Sequence, residues 1–361
     1  MWAMSRADLR RFAAWVSCAF IAVGLARAAA DDAVRSAPRR VAAVRSTDAV
    51  KLAGVDYIDL AKFCERFGLR PQPVTDGDKA VVTFASQWSK LEFEMDSRDH
   101  TINGLRVFTG EPVRSYRGRA WLSRIDAETL LTPMLRPGLG QTRVPALKTI
   151  VLDPGHGGND AGKTNDRIRV AEKNLALDTA RRLKKLLEAQ GFAVVLTRTD
   201  DRYVDLVERP AIARREHADL FISLHFNSVA AQAASVTGVE VFTLTPQHQF
   251  STADSAHEDD DGARRATPGN ANDHWNTLLG YSIDREMRNE LKAPDRGLKR
   301  ARWKVLVLAP CPAVLIESGY LSNDAEARKI ATPAYRQQIA EAIAGGVNAY
   351  GDALERLRAK S

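Results

Sequence analysis

Short apolar runs and long amphipathic stretches alternate from Thr149 to the end of the chain. The runs Thr149–Leu152, Phe192–Thr197, Ala218–Asn227, Gly238–Thr243, Trp303–Leu308 and Ala313–Ile316 have the length and β-branched content of buried strands. Between the first two, Leu175, Ala176, Thr179, Leu183, Leu186 and Leu187 share one helical face that ends near Gly191. Leu206–His217, Leu278–Leu291, Ala325–Ile330 and Tyr335–Arg358 predict further helices, the last of them long and amphipathic. Strands alternating with helices predict an α/β fold for residues 149–361.

The pattern before residue 149 is finer. Val50–Leu52 and Val55–Ile58 predict two strands around a Gly54 turn, and Asp59–Phe67 a short helix stopped by Gly68. Ala80–Phe84 and Leu91–Met95 alternate as strands. Asn103-Gly104 sits between two short apolar runs and predicts a hairpin. Arg119–Leu122 is another strand, and Ile125–Leu131 a second short helix. Residues 47–132 therefore predict a small α+β domain, and residues 133–148, with Pro133, Gly138, Gly140 and Pro145, a linker.

Composition adds bounds. A chain of 361 residues is long enough for two domains, and 45% hydrophobic with 27% charged residues is ordinary for a globular protein. The first 30 residues stand apart. Arg6, Arg10 and Arg11 precede an apolar stretch, Phe12–Leu25, and then Ala26-Arg27-Ala28-Ala29-Ala30. That order predicts a secretory signal sequence cleaved before Asp31, with no membrane span left afterwards; an uncleaved anchor is the alternative reading. Cleavage removes four arginines and one aspartate and lowers the net charge from +7 to +4. Residues 31–46 read as a flexible leader. A mildly basic chain suits an anionic polymer such as cell wall, and its scattered arginines, without interleaved aromatics, exclude a single-strand nucleic-acid groove. Cys64 and Cys311 make neither a disulfide framework nor a metal cluster and read as buried small hydrophobes.

The chemistry collects at the predicted strand ends. After Leu152 the chain breaks into Asp153-Pro154-Gly155-His156-Gly157-Gly158, which leaves one imidazole in a glycine loop. His225 stands at the end of Ala218–Asn227, and Glu317 just past Ala313–Ile316. Glu172 opens the helix that follows the glycine loop, where an acid also suits the helix dipole. Such addresses converge on one edge of an α/β sheet. Two His and one carboxylate form the ligand set of a catalytic zinc with one open position, and a second carboxylate beside it suits proton transfer.

These stretches also resemble a known family. Thr149–Gly162, the helix start Glu172-Lys173-Asn174, Ser223–Asn227 and Pro312–Asn323 together are similar to the zinc-dependent N-acetylmuramoyl-L-alanine amidases of bacterial cell walls, over roughly residues 148–350. The resemblance implies a mostly parallel sheet flanked by helices. It implies cleavage of the amide between N-acetylmuramic acid and L-alanine in peptidoglycan, in the periplasm or at the cell wall. It makes His156, Glu172 and His225 the Zn2+ ligands and Glu317 the catalytic acid/base. Asp153 is expected either to orient His156 or to cap the turn; Arg198 and Asn227, beside the matched motifs, receive no role.

Residues 47–132 resemble, through Val55–Leu60 and Ala120–Ile125, the small N-terminal domain of some copper amine oxidases and of many exported cell-wall proteins. No copper role transfers, because His100 is the one His there and reads as a surface residue. A wall-binding or spacer role is the expectation.

Residues 245–276 form an insertion with an acidic run, Glu258–Asp261, followed by Arg264-Arg265. It reads as a solvated loop, or, as in some relatives, as a lid over the zinc that a partner protein removes. His248, His257 and His274 match no common ligand spacing. Two other functions stay open: a non-catalytic wall-binding protein, and a zinc peptidase of the stem peptide.

Overall fold

A computed structural model describes residues 48–73, 80–252 and 265–360. The signal sequence, the leader up to Ser46, His257 and the acidic run Glu258–Asp261 lie outside the described residues. The chain forms two compact units. One comprises the residues up to Asn103 with Pro112–Arg124, the other Gly104–Glu111 with Ile125–Ser361. The second unit thus starts within the 47–132 span read from the sequence.

The smaller unit is β-rich. Ala49–Leu52, Val55–Asp59, Arg119–Ser123 and Arg114–Tyr116 form one antiparallel sheet in that order. The helix Leu60–Arg66 follows directly, its N-terminus capped by Asp59 Oδ1, which accepts from Lys62 N at 3.0 Å. A second antiparallel ladder runs through Asp99–Ile102, Lys90–Glu94, Val81–Ala85 and Arg70–Pro71. Val82, Phe84, Leu91 and Phe93 alternate inward, as the period of two requires. His100, expected at the surface, is instead buried with its ring edge-on to Phe93 at 5.2 Å. Cys64 is buried as expected, and that burial pushes its thiol well above the ordinary range.

The larger unit carries a seven-strand sheet. Its order is Ala193–Leu196, Thr149–Pro154, Leu220–Asn227, Ala313–Tyr320, Val239–Leu244, Asp295–Ala301 and Leu105–Phe108. Only the junction of Ala313–Tyr320 with Val239–Leu244 is antiparallel, so the sheet is mostly parallel as expected. Glu172–Ala189, Asp273–Leu291 and Pro333–Arg358 pack together and against the strands. Val151, Phe221, Leu315 and Phe242 point the other way, into a core closed by Ala213, Val305 and Leu306 from two short helices. Burial on both faces explains why Ile150–Leu152 and Leu220–Ile222 are unbroken apolar runs rather than alternations.

Three expectations change. Trp303–Leu308, read as a strand, holds the short helix Lys304–Val307, and the strand is Asp295–Ala301. Periodicity cannot distinguish a four-residue buried helix from a strand, and the charges of Arg296, Lys299 and Arg300 mask the true one. The linker starts later than Pro133: a helical stretch continues from Arg124 through Leu135, with Pro133 buried at the start of its last turn. Proline brings no N–H to Thr129 O, which instead accepts from Thr277 Oγ1 at 2.7 Å.

The described ends of the insertion are only partly solvated. His248, Arg265, Ala266 and Pro268 are exposed, but Thr245, Gln249 and Ser251 are buried. Arg302 donates to the carbonyls of Thr245, Pro246 and Gln249 at 3.2, 2.9 and 2.8 Å. Asn270, which caps the turn Pro268–Asn272, also donates to Thr245 O at 3.0 Å.

Candidate metal centre

His156 follows the strand Thr149–Pro154 after Gly155 and takes a left-handed backbone, φ 59°. That conformation is uncommon outside glycine and turns the imidazole off the strand's line. Two buried arginines hold the loop. Arg198 donates to Pro154 O at 3.0 Å, Gly155 O at 2.8 Å and Lys173 O at 2.7 Å. Arg209 donates to Pro154 O and His156 O, each at 3.0 Å. Each guanidinium thereby satisfies carbonyls that the sharp turn leaves without ladder partners.

Glu172 is the first residue of the helix Glu172–Ala189 and is buried. Its Oε1 lies 3.0 Å from His156 Nε2 and 2.8 Å from His225 Nδ1, and accepts from Phe226 N at 3.1 Å. Its Oε2 accepts from Lys163 N at 2.9 Å. Burial alone raises a carboxyl's pKa, but the hydrogen bonds from both imidazoles outweigh it and hold Glu172 well below the usual carboxylate range. One donor atom each from His156, Glu172 and His225 lies within 4.8 Å of the others, the one such cluster among the described residues. His248 and His274 are outside it; His274 Nε2 lies 2.6 Å from Pro137 O.

Two glycines make room for this cluster. A Cβ on Gly155 would stand 2.2 Å from His225 Cε1, and one on Gly162 would stand 2.6 Å from both Glu172 Oε2 and His156 Cδ2. Any side chain there would displace a donor.

Asp160 orients His156, and Asp153 does not. Asp160 Oδ2 lies 2.8 Å from His156 Nδ1, and its Oδ1 accepts from Gly162 N at 3.0 Å. Burial lowers the His156 pKa, but Glu172 and then Asp160 raise it above the ordinary value. Asp153 is fully buried and accepts from Thr197 Oγ1 at 2.7 Å, Ser223 Oγ at 2.8 Å and Arg209 Nη1 at 2.8 Å. It ties three elements together below the loop. Asp160, four residues past His156, was legible as a carboxylate in the same polar loop; nothing local marks Arg209.

Glu317 is opposite His225 on the adjacent parallel strand, so the two side chains leave the same face of the sheet. It is buried, and its Oε2 has no hydrogen-bond partner. Burial, then the nearby charges of Glu172 and Glu240, push its carboxyl well above the usual range, with Lys299 opposing. Glu240 faces Glu317 across the antiparallel junction. It accepts from Tyr320 OH at 2.9 Å, from Asn227 Nδ2 and from Lys299 Nζ. This gives Asn227 a partner, and Glu240 and Lys299 are site neighbours that sequence pattern does not reveal.

The profile of the N-acetylmuramoyl-L-alanine amidases matches residues 150–349. The chain belongs to this family. It is similar to N-acetylmuramoyl-L-alanine amidase AmiA of Escherichia coli K12, 31% identical over 241 residues that cover 60% of this chain and 82% of that protein. It is similar to AmiC of Escherichia coli O6:H1, 30% identical over 220 residues, 56% of this chain but only 52% of that protein. The chain therefore spans about half the length of that relative. A crystal structure of an N-acetylmuramoyl-L-alanine amidase from Clostridium difficile 630 aligns with a TM-score of 0.47 at 31% identity, over 57% of this chain and 97% of that one. Within the amidase family match fall all four residues His156, Glu172, His225 and Glu317.

Proposed function

We propose that the chain is an exported zinc-dependent N-acetylmuramoyl-L-alanine amidase acting on peptidoglycan, with His156, Glu172 and His225 as zinc ligands and Glu317 as acid/base. The observation that carries the reading is the convergence of two imidazoles and one ionised carboxylate on a single point, with Glu317 directly across the strand pair from His225. This donor set fits zinc: neutral nitrogen ligands with one carboxylate are the usual companions of an open catalytic position. A zinc ion bound there supplies Lewis acidity toward the amide carbonyl and lowers the pKa of water toward about 7.

The chain's own groups do the rest. Glu172 would supply the carboxylate of the donor set, its Oε1 next to both imidazoles, while Asp160 fixes the His156 ring. Glu317 takes a proton from the attacking water and delivers it to the L-alanine nitrogen as the C–N bond breaks. Its unpartnered Oε2 leaves an acceptor ready for that proton.

Asp160→Ala is expected to weaken zinc binding about 10–100-fold, as loss of a partner that orients a ligand does. Competition with a metal indicator measures it. Unchanged affinity would remove Asp160 from the account.

Location and partners complete the reading. Export after loss of residues 1–30 places the enzyme in the periplasm or at the cell wall, and the N-terminal unit serves as wall-binding module or spacer. Unchanged wall attachment after deletion of residues 31–103, which spares the strand Leu105–Phe108, would eliminate that role. An activator protein acting on the 245–276 insertion is supported by its clamped ends. Replacing residues 253–264 by a short linker tests this, because a longer deletion also removes the Asn270 cap; activity that stays the same with and without activator would end the idea.

A further inference from the structure

We propose that Tyr203, Leu206 and Val207 form a preformed platform for the uncharged glycan strand beside the cleaved amide; this rests on the amidase reading. Exposed large hydrophobic side chains are few among the described residues. Three of them, Tyr203 at 54%, Leu206 at 52% and Val207 at 49% exposure, fall within one short segment. A cluster of this kind marks a binding surface, whereas single exposed apolar residues do not.

The segment borders the metal centre. A Cβ on Gly158, two residues from His156, would meet Tyr203 N at 2.7 Å and Tyr203 Cβ at 3.1 Å. A Cβ on Gly157 would meet Arg202 O at 2.1 Å. The glycine loop and the 202–203 backbone are therefore in direct contact.

The platform is also rigid. Val204 is buried, and its carbonyl accepts from Arg209 Nε at 3.0 Å. Asp205 Oδ1 accepts from Val207 N at 2.9 Å, and Asp205 O accepts from Glu208 N at 3.0 Å. Hydrogen bonds that use the backbone in this way leave the three apolar side chains pointing outward without local partners. A fixed aromatic face presents contact area at little entropic cost.

The substrate has two unlike sides. The acyl side of the amide is a sugar polymer, uncharged where the lactyl carboxyl is in the amide. The amine side is a peptide that carries carboxylates. The two flanks of the site differ in the same sense. The 200–207 segment follows the strand Ala193–Leu196, on one side of Thr149–Pro154. Its exposed charges, Asp200, Asp201, Arg202 and Asp205, are mostly acidic; Asp201 pairs with Lys173 at 2.6 Å and Asp200 lies 3.9 Å from Arg202.

On the other side, a hairpin of Thr164–Asn165 and Val170–Ala171 is anchored beyond Ala313–Tyr320. Asn165 Nδ2 donates there to Leu321 O at 2.9 Å and Asp324 Oδ1 at 3.0 Å. Lys163 and Arg169 beside this hairpin are exposed and have no carboxylate partner among the described residues. Arg167 pairs with Asp324 at 3.1 Å. Against these three cations the turn itself sets one exposed acid, Asp166. The flank that joins apolar side chains to net acidic charge disfavours the peptide's carboxylates and matches the uncharged glycan, and the cationic flank matches the peptide.

The test titrates the full chain carrying Glu317→Gln, so that nothing is consumed, with a β-1,4-linked N-acetylglucosamine tetramer and separately with a stem peptide lacking sugar. Tyr203→Ala in that background is expected to weaken tetramer binding about tenfold, the scale of one lost aromatic contact, and to leave peptide binding unchanged. Tyr203→Phe keeps the tetramer affinity. In the otherwise wild-type chain Tyr203→Ala raises KM for peptidoglycan with kcat within about twofold. Tetramer binding indifferent to Tyr203→Ala, or a loss confined to the peptide, overturns the proposal. Wild-type protein that releases no L-alanine termini defeats the amidase reading instead, and the tetramer titration still decides the platform.

Discussion

A Glu317→Gln protein is expected to keep its zinc and lose about 10²–10⁴-fold in turnover, the usual contribution of general acid–base catalysis. Gln has the same shape and can neither take nor give up the proton. The carboxyl of Glu317 is buried with an unpartnered oxygen, directly across from His225, and makes none of the contacts that hold His156 or Glu172. Removing its charge therefore leaves the ligand set intact.

Stability gives a second readout with a defined sign. Folding raises the pKa of Glu317, so its ionisation works against the fold. The cost is absent below the unfolded pKa of about 4.3 and grows as pH rises above it. Gln carries no such cost, so at pH 7 the chelated variant is expected to unfold at the same Tm as the chelated wild type or higher. Metal analysis, product release and a thermal melt measure all three. Wild-type turnover in this variant would remove Glu317 from the mechanism.

His225→Ala is the opposite case. It deletes a donor and also the 2.8 Å contact to Glu172 Oε1. Zinc affinity is expected to fall by more than the roughly 10–100-fold that loss of an orienting partner causes, and turnover to fall to background. Added zinc at high concentration recovers little, because two donors do not fix the coordination geometry. Zinc content by elemental analysis and activity should fall together; full zinc occupancy with no activity would mean that His225 acts on the substrate rather than the metal.

Much of this was legible in the sequence, for physical reasons. Strands buried on both faces are written as apolar runs without alternation, and this is how Ile150–Leu152, Leu220–Ile222 and Ala313–Ile316 announced themselves. The residues proposed for the metal site sit where such runs stop, at glycines and at a helix start, so the meeting of His156, Glu172 and His225 could be read from their positions. Residues that act through space left no local trace. Arg209 is distant in sequence from the loop it braces, and Glu240 becomes a neighbour of Glu317 only through the one antiparallel junction in the large sheet. Asp153 misled because adjacency in sequence to His156 suggested contact, whereas a strand residue's side chain follows the pleat, here into a buried network with Thr197, Ser223 and Arg209. Asp295–Ala301 was hidden by its charges, several of which are consumed inside the fold: Arg300 Nη1 donates to Asp126 Oδ1 at 2.8 Å, both side chains buried.

The most direct test is digestion of purified peptidoglycan by the full chain, with and without a chelator and with zinc restored, followed by mass analysis of the products. The account predicts intact stem peptides with free L-alanine amino termini, absent with chelator and regained with zinc. Cuts within the stem peptide, or release that chelation does not affect, would contradict it.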